Sequence, residues 1–293
     1  MSIYSIKELE KLSGIKAHTI RIWEKRYALL IPLRTDTNIR YYGDNELKKL
    51  LNVTSLLSLG FKISKISEMS NNEINQQLDK LAKGVQSSGS VSEVYVNQMI
   101  TSAVNYDEYA FDKAFSSAIL RHGLIDTYIK IIYPLLEKVG ILWSKSDLMP
   151  AQEHFLSNLI KQKIQSAIDN VAPASPSDQP WILFLPEEEL HDIGLILSSY
   201  IIREHGKPVI YLGARVPTES LSSVLELFPK AKLLFFLVKQ FDGKSINSLV
   251  KNINVNYPES TVYISTNPKG VEEIEVDIAF EKINSVEDLV KKV

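Results

Sequence analysis

Cysteine is absent from the 293 residues, which excludes disulfides, thiolate metal sites and cysteine nucleophiles. No apolar run approaches the roughly 20 residues that a membrane-spanning helix needs. The opening MSIYSIKELEKLSG lacks the basic-then-apolar pattern of a signal peptide. A cytoplasmic protein with no membrane partner is the expectation. Histidine is scarce, with five in the chain, so the position of each carries information. Charge of one sign is also scarce, since the formal net charge is −2. That near-balance conceals an asymmetry. Residues 1–70 hold 12 Lys/Arg against 7 Asp/Glu, a balance of +5, and the remaining residues carry −7. A basic head on an acidic body suggests that the head alone meets a polyanion.

What is present falls into three segments. In residues 1–83, SIKELEKLSG places Ile6, Leu9 and Leu12 on one helical face and stops at Gly14. KAHTIRIWEKRY follows after a very short turn, and two helices so joined form a helix-turn-helix. Ile15, Ile20 and Trp23 are available for its core, which leaves His18, Thr19, Arg21, Lys25 and Arg26 for the other faces. RTDTN then reads as a hairpin turn with IRYY as the returning strand, a wing, and SLLSLGFKISKISEM as a further amphipathic helical stretch. A polar linker is expected at Gly84–Ser92.

Residues 93–172 show apolar positions at three- and four-residue spacing in four stretches, starting near Val96, Asp107, Leu124 and Pro150, and so predict a four-helix bundle. APASPSD, residues 172–178, is a second linker. Beyond it, in 179–293, the runs WILFLP, KPVIYLG, KLLFFLV, TVYIST and VDIAFE are short strands, with helical stretches between the first four. Such alternation means a parallel sheet covered on both faces. The expected fold class is multidomain α plus α/β: an N-terminal winged helix-turn-helix, a four-helix bundle and a flavodoxin-like five-stranded parallel sheet.

In a sheet of that type ligands sit beyond the carboxyl ends of the strands, near the switch point. LFLPEEELHDIG, ending the first strand of the third segment, lies there. Three chemistries compete for its histidine, His191. It can be incidental to a helix start that carboxylates favour. It can adjoin a phosphate site, although glutamates repel an anion and no glycine-rich loop is present. It can ligate a metal, with Glu189 bonded to its other nitrogen to set the tautomer. Gly194 would then allow a bulky ligand close to the helix backbone. His122 and His205 are expected to be ordinary surface residues.

TIRIWEKRY, Pro32, Arg34 and IRYY resemble the MerR family of winged-helix regulators over about 70 residues. The resemblance implies a dimer on a near-palindromic double-stranded promoter site. Arg21 and Thr19 would read bases, His18 is a further contact, and Arg26, Tyr27, Arg34, Arg40 and Tyr41 would clamp the backbone. ELHDIG is similar to the D/E-x-H-x-x-G signature of cobalamin-binding domains. That likeness implies Glu189, His191, Asp192 and Gly194 as cofactor residues, with His191 the lower axial ligand of cobalt. Trp143 nine residues before Glu153-His154 resembles the W-x9-E-H pattern in the helical cap of CarH-like light-sensing regulators. Trp143 and Glu153 would shape the pocket around the adenosyl group of adenosylcobalamin, and His154 would ligate cobalt after light breaks the cobalt–carbon bond. The likeness also implies a repressor and a homo-oligomer, dimer or tetramer, whose assembly light alters.

The sequence departs from that pattern at two places. The S-x-L expected at the end of the third strand is replaced by Leu237, Val238, Lys239 and Gln240, and the Gly-Gly pair after the fourth by Ser265, Thr266, Asn267 and Pro268. Either a different set of polar groups, Ser265 and Thr266 among them, houses the nucleotide tail, or the domain keeps the shape without the cofactor. The alternative function is therefore a cofactor-independent regulator whose sensor-like half dimerises or binds a protein. A cobalamin enzyme is disfavoured, because no catalytic barrel accompanies the winged helix.

Overall fold

A computed structural model of the chain describes residues 3–84, 88–143, 150–175, 179–238, 243–266 and 279–293. They fall into two compact units, Met1–Ser157 and Asn158–Val293.

The first unit opens with α1, Ile6–Ser13, which starts in a capping box between Ser5 and Glu8 and ends at Gly14 with φ 73°. A positive φ at this position is a glycine conformation, so the chain turns at once into α2, Ala17–Tyr27. Leu9, Leu12, Ile20 and Trp23 are buried between them, whereas Ile6 and Ile15 are only half-buried. The wing is an antiparallel pair, β1 (Leu33–Arg34) and β2 (Arg40–Tyr41), whose turn uses Asn38 at φ 65°. Next come α3, Asp44–Ser58, then α4, Ile63–Ile66, and α5, Asn71–Gly84. The single amphipathic stretch expected here is broken at Gly60, whose φ of 90° ends α3.

The polar run expected as a linker is mostly helix. α5 reaches Gly84 and α6 spans Ser88–Asn105, with Val91, Val94 and Tyr95 buried. Apolar residues at three- and four-residue spacing outweigh the weak propensity of Ser and Gly. Buried Asn97 joins α6 to α3, its amide donating to Ser55 Oγ at 3.0 Å and Leu51 O at 3.4 Å. α7, Glu108–Thr127, is capped by Asp107, which accepts from Ala110 N at 2.9 Å, and kinks at Gly123. A π-helical stretch, Tyr128–Ile132, leads into α8, Tyr133–Trp143. Pro134 accounts for it: proline has no N–H to return to residue 130 and its ring presses on that carbonyl, so the preceding turn widens. α9, Pro150–Asp169, has proline at its first position, where a missing N–H costs nothing.

The second unit contains β3 (Trp181–Pro186), α10 (Ile193–Glu204), β4 (Val209–Val216), α11 (Leu221–Leu225), β5 (Lys232–Leu237), α12 (Gly243–Asn256), β6 (Thr261–Thr266), β7 (Glu281–Lys282) and α13 (Val286–Lys292). The strands form one parallel sheet in the order β4-β3-β5-β6-β7, the flavodoxin-like order with its switch point between β3 and β5. Every residue of β3 is buried, as a central strand covered on both faces requires. Even-numbered β3 and odd-numbered β5 side chains, Phe184 and Phe235 among them, pack with Leu221, Leu225, Leu249 and Ile253 of α11 and α12. The opposite face of the sheet meets α10. Of the predicted fifth strand VDIAFE, Glu281 falls in β7, Ala279 and Phe280 precede it outside any strand, and residues 276–278 lie outside the described set.

Candidate functional site

Two surfaces carry the chemistry, one in each unit. On α2, His18, Arg21 and Lys25 recur at spacings of three and four and are exposed, while Thr19 is half-buried. The Arg26 guanidinium lies over the Tyr27 ring at 5.5 Å, a cation–π contact that orders both. In the wing Arg34 donates to Asn38 Oδ1 at 2.5 Å, and Tyr41 is half-buried. Arg40 differs from the simple backbone clamp expected of it. Its Nε lies 3.4 Å from Glu24 Oε2, and Glu24, 8% exposed, also accepts from the Tyr42 hydroxyl. Burial, and next the bond to Glu24, push the Tyr42 phenol up. Glu24 thus locks α2 to β2, a role not foreseen from the sequence. The available signal was a lone carboxylate inside an otherwise basic helix.

In the second unit the loop after β3 folds around a buried carboxylate. Glu187 and Glu188 are exposed, but Glu189 is fully buried. Its Oε1 accepts from Leu190 N at 2.8 Å, His191 N at 3.0 Å and His191 Nδ1 at 2.6 Å, and its Oε2 accepts from Val238 N at 2.8 Å. The carboxylate does not cap α10; it ties the ends of β3 and β5 together at the switch point. The shortest of these contacts places the imidazole proton on Nδ1, because an ionised carboxylate only accepts. Nε2 is left with its lone pair, on a side chain that is 53% exposed. An imidazole held this way has the fixed orientation and tautomer that metal ligation requires.

The neighbouring residues are placed as follows. Asp192 forms an ion pair with Lys161 of α9 at 2.6 Å, which anchors the residue next to His191. Tyr211 of β4 is pushed up by burial and then by the charge of Asp192. Gly194 is not a cradle open to a ligand. A Cβ built there would stand 2.9 Å from Cε1 of Phe236, so the close approach that glycine permits is to this ring. Ser265 is the register partner of Phe236, and Thr266 of Leu237; both are half-buried at the same rim. Lys239, Gln240, Asn267 and Pro268 lie outside the described residues.

In the first unit Trp143 ends α8 and its side chain is outside the described set. Glu153 and His154 pair, Oε2 to Nδ1, at 3.1 Å, with the His154 side chain 72% exposed. Buried Gln152 beside them donates to Val104 O at 3.2 Å and fixes this part of α9 to α6. His205 is exposed and bonds Ile201 O. His122 is half-buried, with a shielded Nε2 that has no hydrogen-bond partner among the described residues. The expectation of an ordinary surface residue does not hold for it.

The donor set decides what kind of metal this loop suits. Among the described residues no three of His, Asp or Glu gather into a cage, and a bare ion of ordinary protein sites takes three or four such ligands. One outward imidazole with a buried carboxylate behind it suits a metal whose other ligands are supplied by a macrocycle. A cobalt corrinoid fits that donor set.

The first of two family profiles, described as the MerR HTH family regulatory protein, matches residues 4–73. The second, described as the B12 binding domain, matches residues 95–167. The chain is similar to the HTH-type transcriptional repressor CarH of Myxococcus xanthus, with 28% identity over 77% of this chain and 76% of that protein. Its similarity to the repressor CarA of the same organism is 26% over 79% and 76%. The monomethylamine corrinoid protein of Methanosarcina barkeri superposes with a TM-score of 0.50 at 15% identity, over 66% of this chain and 94% of that one. This likeness is one of fold. The chain therefore joins a MerR HTH domain at 4–73 to a B12 binding domain at 95–167, followed by a parallel sheet of flavodoxin-like order.

Proposed function

We propose that the protein is a DNA-binding transcription regulator, a repressor, whose effector is adenosylcobalamin and whose signal is light. In this reading residues 1–83 bind promoter DNA, 93–172 cap the corrinoid and 179–293 hold it. The single observation that carries the reading is the bond from His191 Nδ1 to fully buried Glu189, which presents Nε2 outward at the switch point of the sheet. When bound, adenosylcobalamin would supply a cobalt–carbon bond that light can cleave. The chain would supply the rest. His191 would take the place of the cofactor's own base, Glu189 holds the proton on Nδ1 so that the Nε2 lone pair faces outward, and Lys161 steadies the loop through Asp192. Trp143 and Glu153 would line the adenosyl side, and His154 would be a second candidate ligand. Arg21 and Thr19 read bases, and the wing holds phosphates. A change at the bound cofactor would bias a two-state arrangement of subunits and so couple illumination to DNA release. The protein does no catalysis in this scheme.

A second reading is favoured by Phe236 seated on Gly194: the sensor half has given up the corrinoid and serves as a dimerisation or protein-binding module. One experiment separates the two. Purified protein is mixed with adenosylcobalamin in the dark, desalted, illuminated and assayed for absorption and for operator DNA in a mobility-shift gel. Retained colour, a light-dependent spectrum and light-dependent release of DNA support the first reading. A colourless protein that binds DNA equally in light and dark leaves the second.

A further inference from the structure

Phe236 occupies a position that the corrinoid reading makes consequential, and the argument here rests on that reading. An imidazole that replaces the base of a cobalamin binds the same face of the corrin ring that the base left. The nucleotide loop stays covalently attached at that face, so it has to be housed on the His191 side. The concavity available there is the crevice beyond the ends of β3 and β5. Three observations locate Phe236 inside it. Glu189 Oε2 holds Val238 N at 2.8 Å, which draws the end of β5 against the His191 loop. Two residues earlier, Phe236 faces α10, and its ring meets the first turn of that helix at Gly194, where even one added carbon would sit 2.9 Å away. Its register partner on β6 is Ser265, whose side chain stands beside the ring on the same face of the sheet. Yet Phe236 is only half-buried, and one aromatic side chain at a strand end can turn aside at modest cost.

We propose that Phe236 is a gate residue for the nucleotide tail: a corrinoid carrying the tail, adenosylcobalamin included, binds only when the ring turns aside and so binds more weakly, whereas a tail-less corrinoid is unhindered. Ligation by His191 Nε2 is common to both ligands, so only the tail distinguishes them. Displacing the ring exposes part of an aromatic side chain, and about a tenfold change in affinity corresponds to 1.4 kcal/mol.

The test is a dark absorption titration of the full chain with aquocobalamin and with diaquocobinamide, which lacks the nucleotide. Wild type, Phe236→Ala and Phe236→Leu are compared. Phe236→Ala should tighten aquocobalamin about tenfold and leave cobinamide within about twofold, with Phe236→Leu in between. The leucine variant carries the test should the alanine variant fold poorly. An equal gain for both ligands, or no gain for aquocobalamin, overturns the gate and leaves the corrinoid reading intact. Absence of binding of either ligand by every protein overturns both.

Discussion

Replacing Glu189 by glutamine tests the centre of the site, and its outcome can be worked from four distances. Oε1 takes three donors, Leu190 N, His191 N and His191 Nδ1, and Oε2 takes one, Val238 N. A glutamine keeps the three by placing its carbonyl oxygen at Oε1. Its NH2 then faces the Val238 N–H, donor against donor. The flipped rotamer sets NH2 against three donors and is worse. The change therefore loses one charge-assisted bond and leaves two buried donors facing each other, against the relief of no longer burying a charge. Charge-assisted bonds contribute about 1.5–3 kcal/mol and an unpaired buried donor costs about 1–3. A net loss of about 2 kcal/mol in the stability of the sheet unit follows. Glu189→Ala removes all four bonds and should cost more, about 3–5 kcal/mol, the range for breaking a buried charged pair.

The same substitution acts on the ligand. With a neutral amide behind Nδ1–H, Nε2 is a weaker base, and outer-shell changes of this kind lower metal affinity about 10–100-fold. Urea unfolding followed by Trp181 fluorescence, in a Trp23→Phe, Trp143→Phe background, gives the first quantity, with the m-value checked for constancy. A dark corrinoid titration gives the second. An unchanged urea midpoint together with unchanged affinity in Glu189→Gln would refute the assignment of Glu189 as the partner that positions His191.

Other expectations concern the head and the helical unit. Arg21→Ala should erase about 1–3 kcal/mol of discrimination at one base pair of the operator, whereas Arg34→Ala should weaken all DNA alike and reduce the salt slope by about one; competition gel shifts at several salt concentrations separate the two. Arg40→Met should lower the thermal stability of the isolated-operator-free protein, because it strips Glu24 of a partner on a side chain only 8% exposed; an unchanged melting curve with weakened DNA binding would restore Arg40 to a pure phosphate clamp. His122 is held below the ordinary histidine range by burial first, then by Lys130 and Arg121, so the fold favours its neutral form. As pH falls through about 6.5 the unfolded chain takes up this proton before the folded one does. Its contribution is therefore full above that pH and declines below it, and His122→Gln should flatten that part of the stability–pH curve between pH 7 and 5.

The elements were legible where one local signal dominates. Gly14 ends α1, Asp107 and Pro150 open their helices, and the buried β-rich runs form the central strands. The Glu189–His191 pair was legible because the two residues are separated by one position and one geometry serves both. Elsewhere the deciding partner is distant in sequence. Ser88–Ser92 reads as a linker by composition, yet Val91 and Val94 bury themselves and carry the polar residues into α6. Arg40 reads as a DNA clamp by charge, yet a carboxylate sixteen residues earlier claims its guanidinium.

Gly194 shows why a short motif underdetermines its own meaning. A glycine three residues after the candidate ligand His191 satisfies two different demands, room for a ligand and room for a side chain of the same protein. Period-two alternation along the third strand of the sheet distinguishes them. Phe235 packs with Phe184 on the α11–α12 face, so Phe236 faces α10, and its ring lies against the start of that helix at Gly194. A small residue at 236 would have left the space over Gly194 open, and the same glycine would then belong to the ligand. On the proposed gate, the aromatic at 236, more than the glycine at 194, would set the size of what the crevice admits. Exchanging that one side chain should therefore alter which corrinoid binds without altering how His191 holds it.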